Sequence, residues 1–257
     1  MQKRDGLSDA MKSLLYSALL IPFFLFPASS SAQQTIPSGT ILPIQLNTTV
    51  RSDKARPGKV VTGRVMQDVP LPGRKRFRAG AKVVGHVISA RAATRTNPGQ
   101  IILRFDSVTS GKRRTAVTTD LRALASIMDV SEAQVPETGP DRGTPPYIWT
   151  TDQIGGQLNY HDNSVITEGG QIVGHSTPNG ALVHVSATSK CRGIVAGNDA
   201  LQPLWVFSSN ACGLYGYGNV ALSHSGRTNP VGQITLDGTK GNVELHSGSG
   251  MLLRVIQ

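Results

Sequence analysis

The sequence predicts an all-β protein, an antiparallel barrel or sandwich with an inserted disulfide-bearing β subdomain. Two observations carry this reading. Strand-length runs of β-branched and apolar residues recur along the chain, each bounded by Gly, Pro, Asn or Ser clusters. The 257 residues include 28 Gly and 15 Pro but only 16% charged residues, the balance of a turn-punctuated chain and not of a coiled coil. A hydrophobic content of 39% excludes wholesale disorder, and the length leaves room for one or two domains with a sizeable core.

Residues 1–32 read as an export signal. Lys3, Arg4 and Lys12 give a positive start, Leu14 to Phe26 an apolar run, and Ser30-Ser31-Ala32 small residues where a signal peptidase cuts. The run contains Pro22, ends before Pro27 and falls short of the roughly 20 residues that span a bilayer. An uncleaved anchor is the competing reading. No later segment reaches transmembrane length, so the mature chain is expected outside the cytoplasm, in the periplasm, at the cell surface or secreted.

Residues 33–128 form the basic, barrel-like part. Its strand runs are Ile41 to Val50, Lys59 to Val69, Lys82 to Ala90, Gln100 to Val108 and Arg113 to Ile127. In the last run Thr115, Val117, Thr119, Leu121, Ala123, Ala125 and Ile127 share one face at period two. Leu121 to Met128 also has the composition of a short helix, but the upstream alternation continues into it and favours strand. Residues 129–147, with Asp129, Glu132, Glu137 and Asp141 among four prolines, read as an acidic linker or long loop. Short strands resume over 148–245, the inserted subdomain. Residues 246–257 supply the closing strand of the barrel-like part, which should place residues 36–45 and 249–257 side by side.

Ile36-Pro37-Ser38-Gly39-Thr40, Gly63-Arg64-Val65 and Arg78-Ala79-Gly80-Ala81-Lys82-Val83-Val84-Gly85 resemble the start of the TrbI-like β-barrel domain. That domain belongs to the large channel component of type IV secretion systems. Ile101 to Phe105 with Ser110-Gly111 is similar to its next hairpin, and Gly250 to Val255 to its closing strand. The likeness spans 36–128 and 246–257 and implies a barrel fold. The family also has a cytoplasmic tail, a membrane helix and a proline-rich stalk, whereas here a signal abuts the barrel. Residues 148–245 have no recognisable counterpart there, so the secretion function is not carried over.

Charge is divided unevenly. Residues 33–125 carry 17 Lys/Arg against 4 Asp/Glu, and residues 126–257 carry 6 against 10. Two dense clusters, Arg74, Lys75, Arg76 and Arg78, and Lys112, Arg113 and Arg114, fall in expected hairpin turns. Charged turns keep hairpins soluble; equally, they can meet an anionic envelope component or another envelope protein. Nucleic acid is disfavoured, because Phe77 and Phe105 are the only aromatics in this half and offer little for base stacking.

Cys191 and Cys212, the only cysteines, fit one disulfide in an oxidising compartment, worth about 3 kcal/mol by loop closure. Their spacing matches no metal or redox motif. His175 and His184 flank Pro178-Asn179-Gly180, a hairpin turn. With Asn179-Gly180 central the two histidines face each other, and with the turn one residue earlier they become diagonal neighbours on the same face. A metal there would need Asp162 or Glu168 besides; two solvated histidines are the alternative. Trp205, Tyr215 and Tyr217 could form an aromatic binding platform or cap a small core round the disulfide. No Gly-x-Ser-x-Gly elbow or His metal motif occurs, and no cofactor is implied. A binding or assembly role without catalysis is the expectation. The alternative is an extracytoplasmic hydrolase or carbohydrate-active enzyme whose site is assembled across loops.

Overall fold

The computed structural model describes residues 36–134, 150–161, 164–166, 171–185, 191, 199–223 and 230–256. The expected export signal, Asp162, Glu168, residues 135–147 of the expected linker and residues 148–149 lie outside them. No helix among the described residues is long and apolar enough to cross a membrane.

The structure is all-β. A large sheet is built first from β1 (Ile41–Leu46), β3 (Val60–Val65), β6 (Lys82–Arg91), β7 (Gln100–Ser110), β8 (Arg113–Ala116) and β9 (Thr119–Ala125). It is completed late in the chain by β16 (Gly213–Tyr215), β17 (Val220–Leu222), β18 (Ile234–Gly238) and β20 (Gly250–Val255). The hydrogen-bonded order is β16-β9-β20-β1-β3-β6-β7-β18-β17, with β8 also on β7. First and last strands are adjacent as expected: β20 runs antiparallel to β1, with Ile41 opposite Arg254 and Gln45 opposite Gly250. The parallel pairing of β16 with β9 makes the sheet mixed. Short ribbons of β2 (Val50–Arg51) with β19 (Glu244–Leu245), and of β4 (Val69–Leu71) with β5 (Lys75–Phe77), complete this part.

A second, six-stranded sheet contains β10 (Thr150–Gln153), β11 (Gly156–His161), β12 (Ser164–Ile166), β13 (Ile172–Thr177), β14 (Gly180–Val183) and β15 (Gln202–Pro203). The chain therefore divides differently from the expected 148–245 insertion. Strands β10 to β15 form the second sheet, whereas β16, β17 and β18 hydrogen-bond into the large sheet, because β18 completes the free side of β7 (Ile234 opposite Leu103). The two edges of the large sheet, β16 and β17, are consecutive and joined by only four residues, Gly216–Asn219. Such a short link forces the sheet to curl until its edges approach. Among the described residues no ladder joins β16 to β17, and the architecture is a sandwich.

Alternation explains the two cores. In β6 and β7, Val83, Val87, Leu103 and Phe105 point into the curled sheet while Lys82, His86 and Arg104 point out. Leu42, Ile44, Leu46, Leu121, Leu253 and Val255 join them in the first core. The opposite face of β1, β9 and β20 is also covered. Ile41, Ala123, Ala125 and Leu252 meet Leu158, Val165, Ala181 and Val183 of the second sheet, with Trp205 and Phe207 between them. Gly250 makes this close approach feasible. A β-carbon there would lie 2.8 Å from Val130, 3.2 Å from the Trp205 ring and 3.3 Å from Phe207.

The expected single face from Thr115 to Ile127 is corrected in two ways. Opposite Leu252 and Leu253 stand Ala123 and Leu121, so Arg122 is the extra residue of a β-bulge. Beyond it the odd positions switch cores: Leu121 faces the first, Ala123 and Ala125 the second. Strand then ends, and α1 (Ile127–Gln134) takes up Ile127 and the start of the expected linker. Ser126 caps this helix, its Oγ accepting from the Asp129 N–H (3.2 Å) and donating to the Asp129 carboxylate.

Two buried glutamines fasten the layers. Gln67, wholly buried, donates to Ala181 O (2.9 Å) and Thr177 Oγ1 (2.8 Å) and accepts from the Trp205 N–H (2.7 Å). In return Gln202 Oε1 of β15 accepts from the Ile41 N–H (2.9 Å), where β3 no longer pairs with β1.

Tyr217 fills the corner where the sheet edges approach, packing on the first core with its hydroxyl 2.7 Å from Ser249 Oγ. Burial pushes its phenol above the usual value, Asp129 adds to this, and the Ser249 bond partly offsets it. The unfolded phenol ionises near 10. A raised folded value means that stability is intact below about pH 10 and falls as pH rises toward the folded value. Tyr217→Phe should therefore lose less stability between about pH 9 and 11 than the parent, measured by denaturant unfolding at each pH.

Candidate anion-binding surface

Both basic clusters lie at turns, and the register brings them to one end of the large sheet. The β7–β8 hairpin turns through Gly111-Lys112, with Ser110 opposite Arg113. Gly111 has φ 59°, as the first central residue of a type II′ turn requires. The β4–β5 hairpin turns through Pro72-Gly73-Arg74 and presents Arg74, Lys75 and Arg76, with Arg78 just beyond. Its Val69, Leu71 and Phe77 extend the first core, anchoring the hairpin on that end.

Arg64 at the end of β3 stands opposite Lys82 at the start of β6, Lys82 opposite Thr109, and Thr109 opposite Arg114 of β8. Neighbours Val65, Val83, Val108 and Thr115 face inward, so this row points outward. Strands lie about 4.8 Å apart, which puts each cation of the row within roughly a Debye length of the next, ~10 Å at 0.1 M salt. Their fields add. Arg64 and Lys82, which sequence reading did not single out, thus join the seven expected cations. Their signal was present: each is the outward residue at the end of an alternating run.

Few carboxylates enter this end. Asp68 ion-pairs with Arg76 (3.3 Å) and accepts from the Ala79 N–H (2.8 Å), so it fixes the base of the hairpin. Arg64 Nη2 donates to Gln45 Oε1 (2.8 Å), a neutral partner. At the far end of the sheet, by contrast, Arg51 makes a two-pronged pair with Asp53 (3.0 Å each) and approaches Glu244 (3.9 Å). That guanidinium holds the Asp53 carboxyl below its usual range.

Other polar groups are distributed elsewhere. His86 Nδ1 lies 2.7 Å from Asp106 Oδ2, and Arg104 Nε 3.3 Å from Asp106 Oδ1, on the outer face of β6 and β7. Asp106 is the extra residue of a bulge between Val84–Ser107 and Gly85–Phe105, an irregularity that sequence does not reveal. Arg122 and Arg254 are buried on the covered strands. Burial, then the proximity of Arg254, lowers the Arg122 guanidinium to about 10, while Arg254 is lowered by burial and partly restored by Asp120 opposite it. Arg122 Nη2 donates to Ser209 O (3.2 Å).

The β13–β14 turn is centred on Pro178-Asn179, with Thr177 opposite Gly180. Pro178 suits the first central position of a type II turn and Asn179, at φ 67°, the second. The register therefore takes the earlier of the two turn positions. His175 faces Leu182, and His184 is its exposed diagonal neighbour. Among the described residues no group of three or more His, Cys, Asp or Glu could hold a metal ion. Trp205 and Tyr215 belong to the second core and Tyr217 to the first, so the three do not share one platform. Tyr215 does sit beside the disulfide, its hydroxyl accepting from the Cys212 N–H (3.0 Å). Cys191 and Cys212 are bridged, their Cα atoms 5.6 Å apart. Comparison of the chain with family models and with curated proteins finds no match.

Like charges directly across a ladder are unfavourable by about 0.2–1 kcal/mol. Lys82→Glu should convert the Arg64 contact from repulsion to attraction and raise stability by up to about 1 kcal/mol, most clearly at low salt, as read by chemical denaturation.

Proposed function

We propose that this chain is an exported, non-catalytic envelope or surface protein that binds an anionic component through its basic end. The observation that carries this reading is the convergence of Arg74, Lys75, Arg76, Arg78, Lys112, Arg113 and Arg114 with Arg64 and Lys82 on one end of the large sheet. A fold under selection for stability alone gains nothing from Arg64 facing Lys82. Export is supported by the N-terminal signal pattern and the Cys191–Cys212 bridge, which persists in oxidising compartments.

A second reading, a hydrolase or carbohydrate-active enzyme, is favoured by one feature. The His86–Asp106 bond orients an imidazole as a general base would be oriented. Among the described residues no hydroxyl hydrogen-bonds to His86, so this feature supplies only the oriented imidazole.

Each cation near an anionic surface contributes about 1 kcal/mol, roughly five-fold in affinity. Alanine at Arg74, Lys75, Arg76 and Arg78 should therefore weaken retention on an anionic envelope fraction at least a hundredfold in low salt. Alanine at Lys54, Arg56 and Lys59 at the far end should change it little. Equal retention of both variants and the parent would remove the basic-end mechanism.

A further inference from the structure

A cleft of about 500 Å³ opens where the basic end meets the second sheet. That volume lies within the roughly 300–1,000 Å³ typical of small-ligand pockets. One wall is Arg64; Gln134 at the end of α1, Gln153 of β10 and Asn179 of the β13–β14 turn supply amides; Trp205, 6% exposed, only edges the cleft from the second core.

The second-core side of the cleft is held in advance of any ligand. Trp205 has φ 54°, a conformation bulky residues avoid, and its N–H is fixed by the buried Gln67 clamp. Gly180 closes over it: a β-carbon there would fall 2.6 Å from Gln67 Oε1 and 2.9 Å from Trp205 Cα. The Arg64 guanidinium is likewise positioned by Gln45.

Polar demand points to the ligand. Gln153 Oε1 is buried and has no hydrogen-bond partner among the described residues, so it is an acceptor awaiting a donor. The lining holds one cation and no carboxylate. Backbone groups around the cleft are already used. Val65 N–H donates to Ala81 O, Gly80 N–H to Val65 O, Met66 N–H to Pro43 O and Ile154 N–H to Val206 O. An extended peptide therefore finds no free strand edge on these segments, and recognition falls to side chains.

We propose that the cleft binds a hexuronic-acid unit of an acidic polysaccharide. Arg64 pairs with the carboxylate, Gln153 accepts from a ring hydroxyl, and Asn179 and Gln134 bond the remaining hydroxyls. This deepens the basic-end reading: the surrounding cations meet the polymer's charge, and the cleft reads one sugar.

The test is calorimetric titration of the purified protein with oligogalacturonate, its methyl ester and polyphosphate. Oligogalacturonate should bind at least tenfold more tightly than the methyl ester or polyphosphate. Arg64→Ala and Gln153→Leu should each weaken it tenfold or more, and the exposed Gln134→Ala about threefold, which keeps the test valid if Gln153→Leu misfolds. Oligogalacturonate binding no tighter than polyphosphate, or indifferent to Arg64 and Gln134, overturns the proposal. The two readings fail separately. If the cleft variants leave oligogalacturonate binding unchanged while the Arg74, Lys75, Arg76 and Arg78 variant loses envelope retention, the cleft falls and the surface stands. The reverse pattern removes the surface and keeps the cleft.

Discussion

Burial of three adjacent strands on both faces is the constraint on which this structure depends. In β9, β20 and β1 nearly every side chain is inaccessible to water. The face turned into the curled sheet is lined by large aliphatics, Leu42, Ile44, Leu121 and Leu253. The other carries small residues, Ala123, Ala125 and Gly250, into which Trp205 and Phe207 press. Strands with both faces covered cannot turn unpaired backbone groups to water, so each must find a partner. That requirement explains why Gln202 reaches the Ile41 N–H and why Ser126 begins a helix where the β9 ladder ends.

The same constraint decides where charge stands. The second sheet covers β1, β9 and β20 but not the cations at the ends of β3, β6 and β8, which remain exposed. Burial lowers the pKa of both arginines on the covered strands; Arg122 donates to Ser209 O, and Arg254 stands opposite Asp120. Elsewhere the outward positions are free to be basic, and at one end they are. The cleft lies where the two regimes meet, with Arg64 from the exposed row and Trp205 from the buried layer.

Local physics was legible in the sequence. Gly111 and the Thr/Val alternation announced the β7–β8 hairpin, the apolar run after Gly250 announced the last strand, and the two cysteines announced their bridge. The α1 cap was legible too, since Ser126-Ile127-Met128-Asp129 has the spacing of a capping box, but the alternation leading into it argued for strand. What escaped was set by distant partners. The Arg122 bulge exists because β9 must feed two cores, and nothing local to Leu121 or Ala123 specifies that switch. The return of β17 and β18 to the large sheet depends on β7 having an open side. Gln67 looks like any loop glutamine until residues 177, 181 and 205 surround it.

The β9–β20–β1 seam unites the fold and opens only when the whole molecule unfolds. Amide hydrogen exchange tests it directly, because amides released by local opening exchange faster than those released by global unfolding. The amides that pair β20 with β9 and with β1, among Leu252, Leu253, Leu42 and Leu121, should be the slowest in the protein and share the free energy of global unfolding. Fast exchange there, with the second sheet or the β6–β7 pair protected longer, would show that the seam does not hold the fold together.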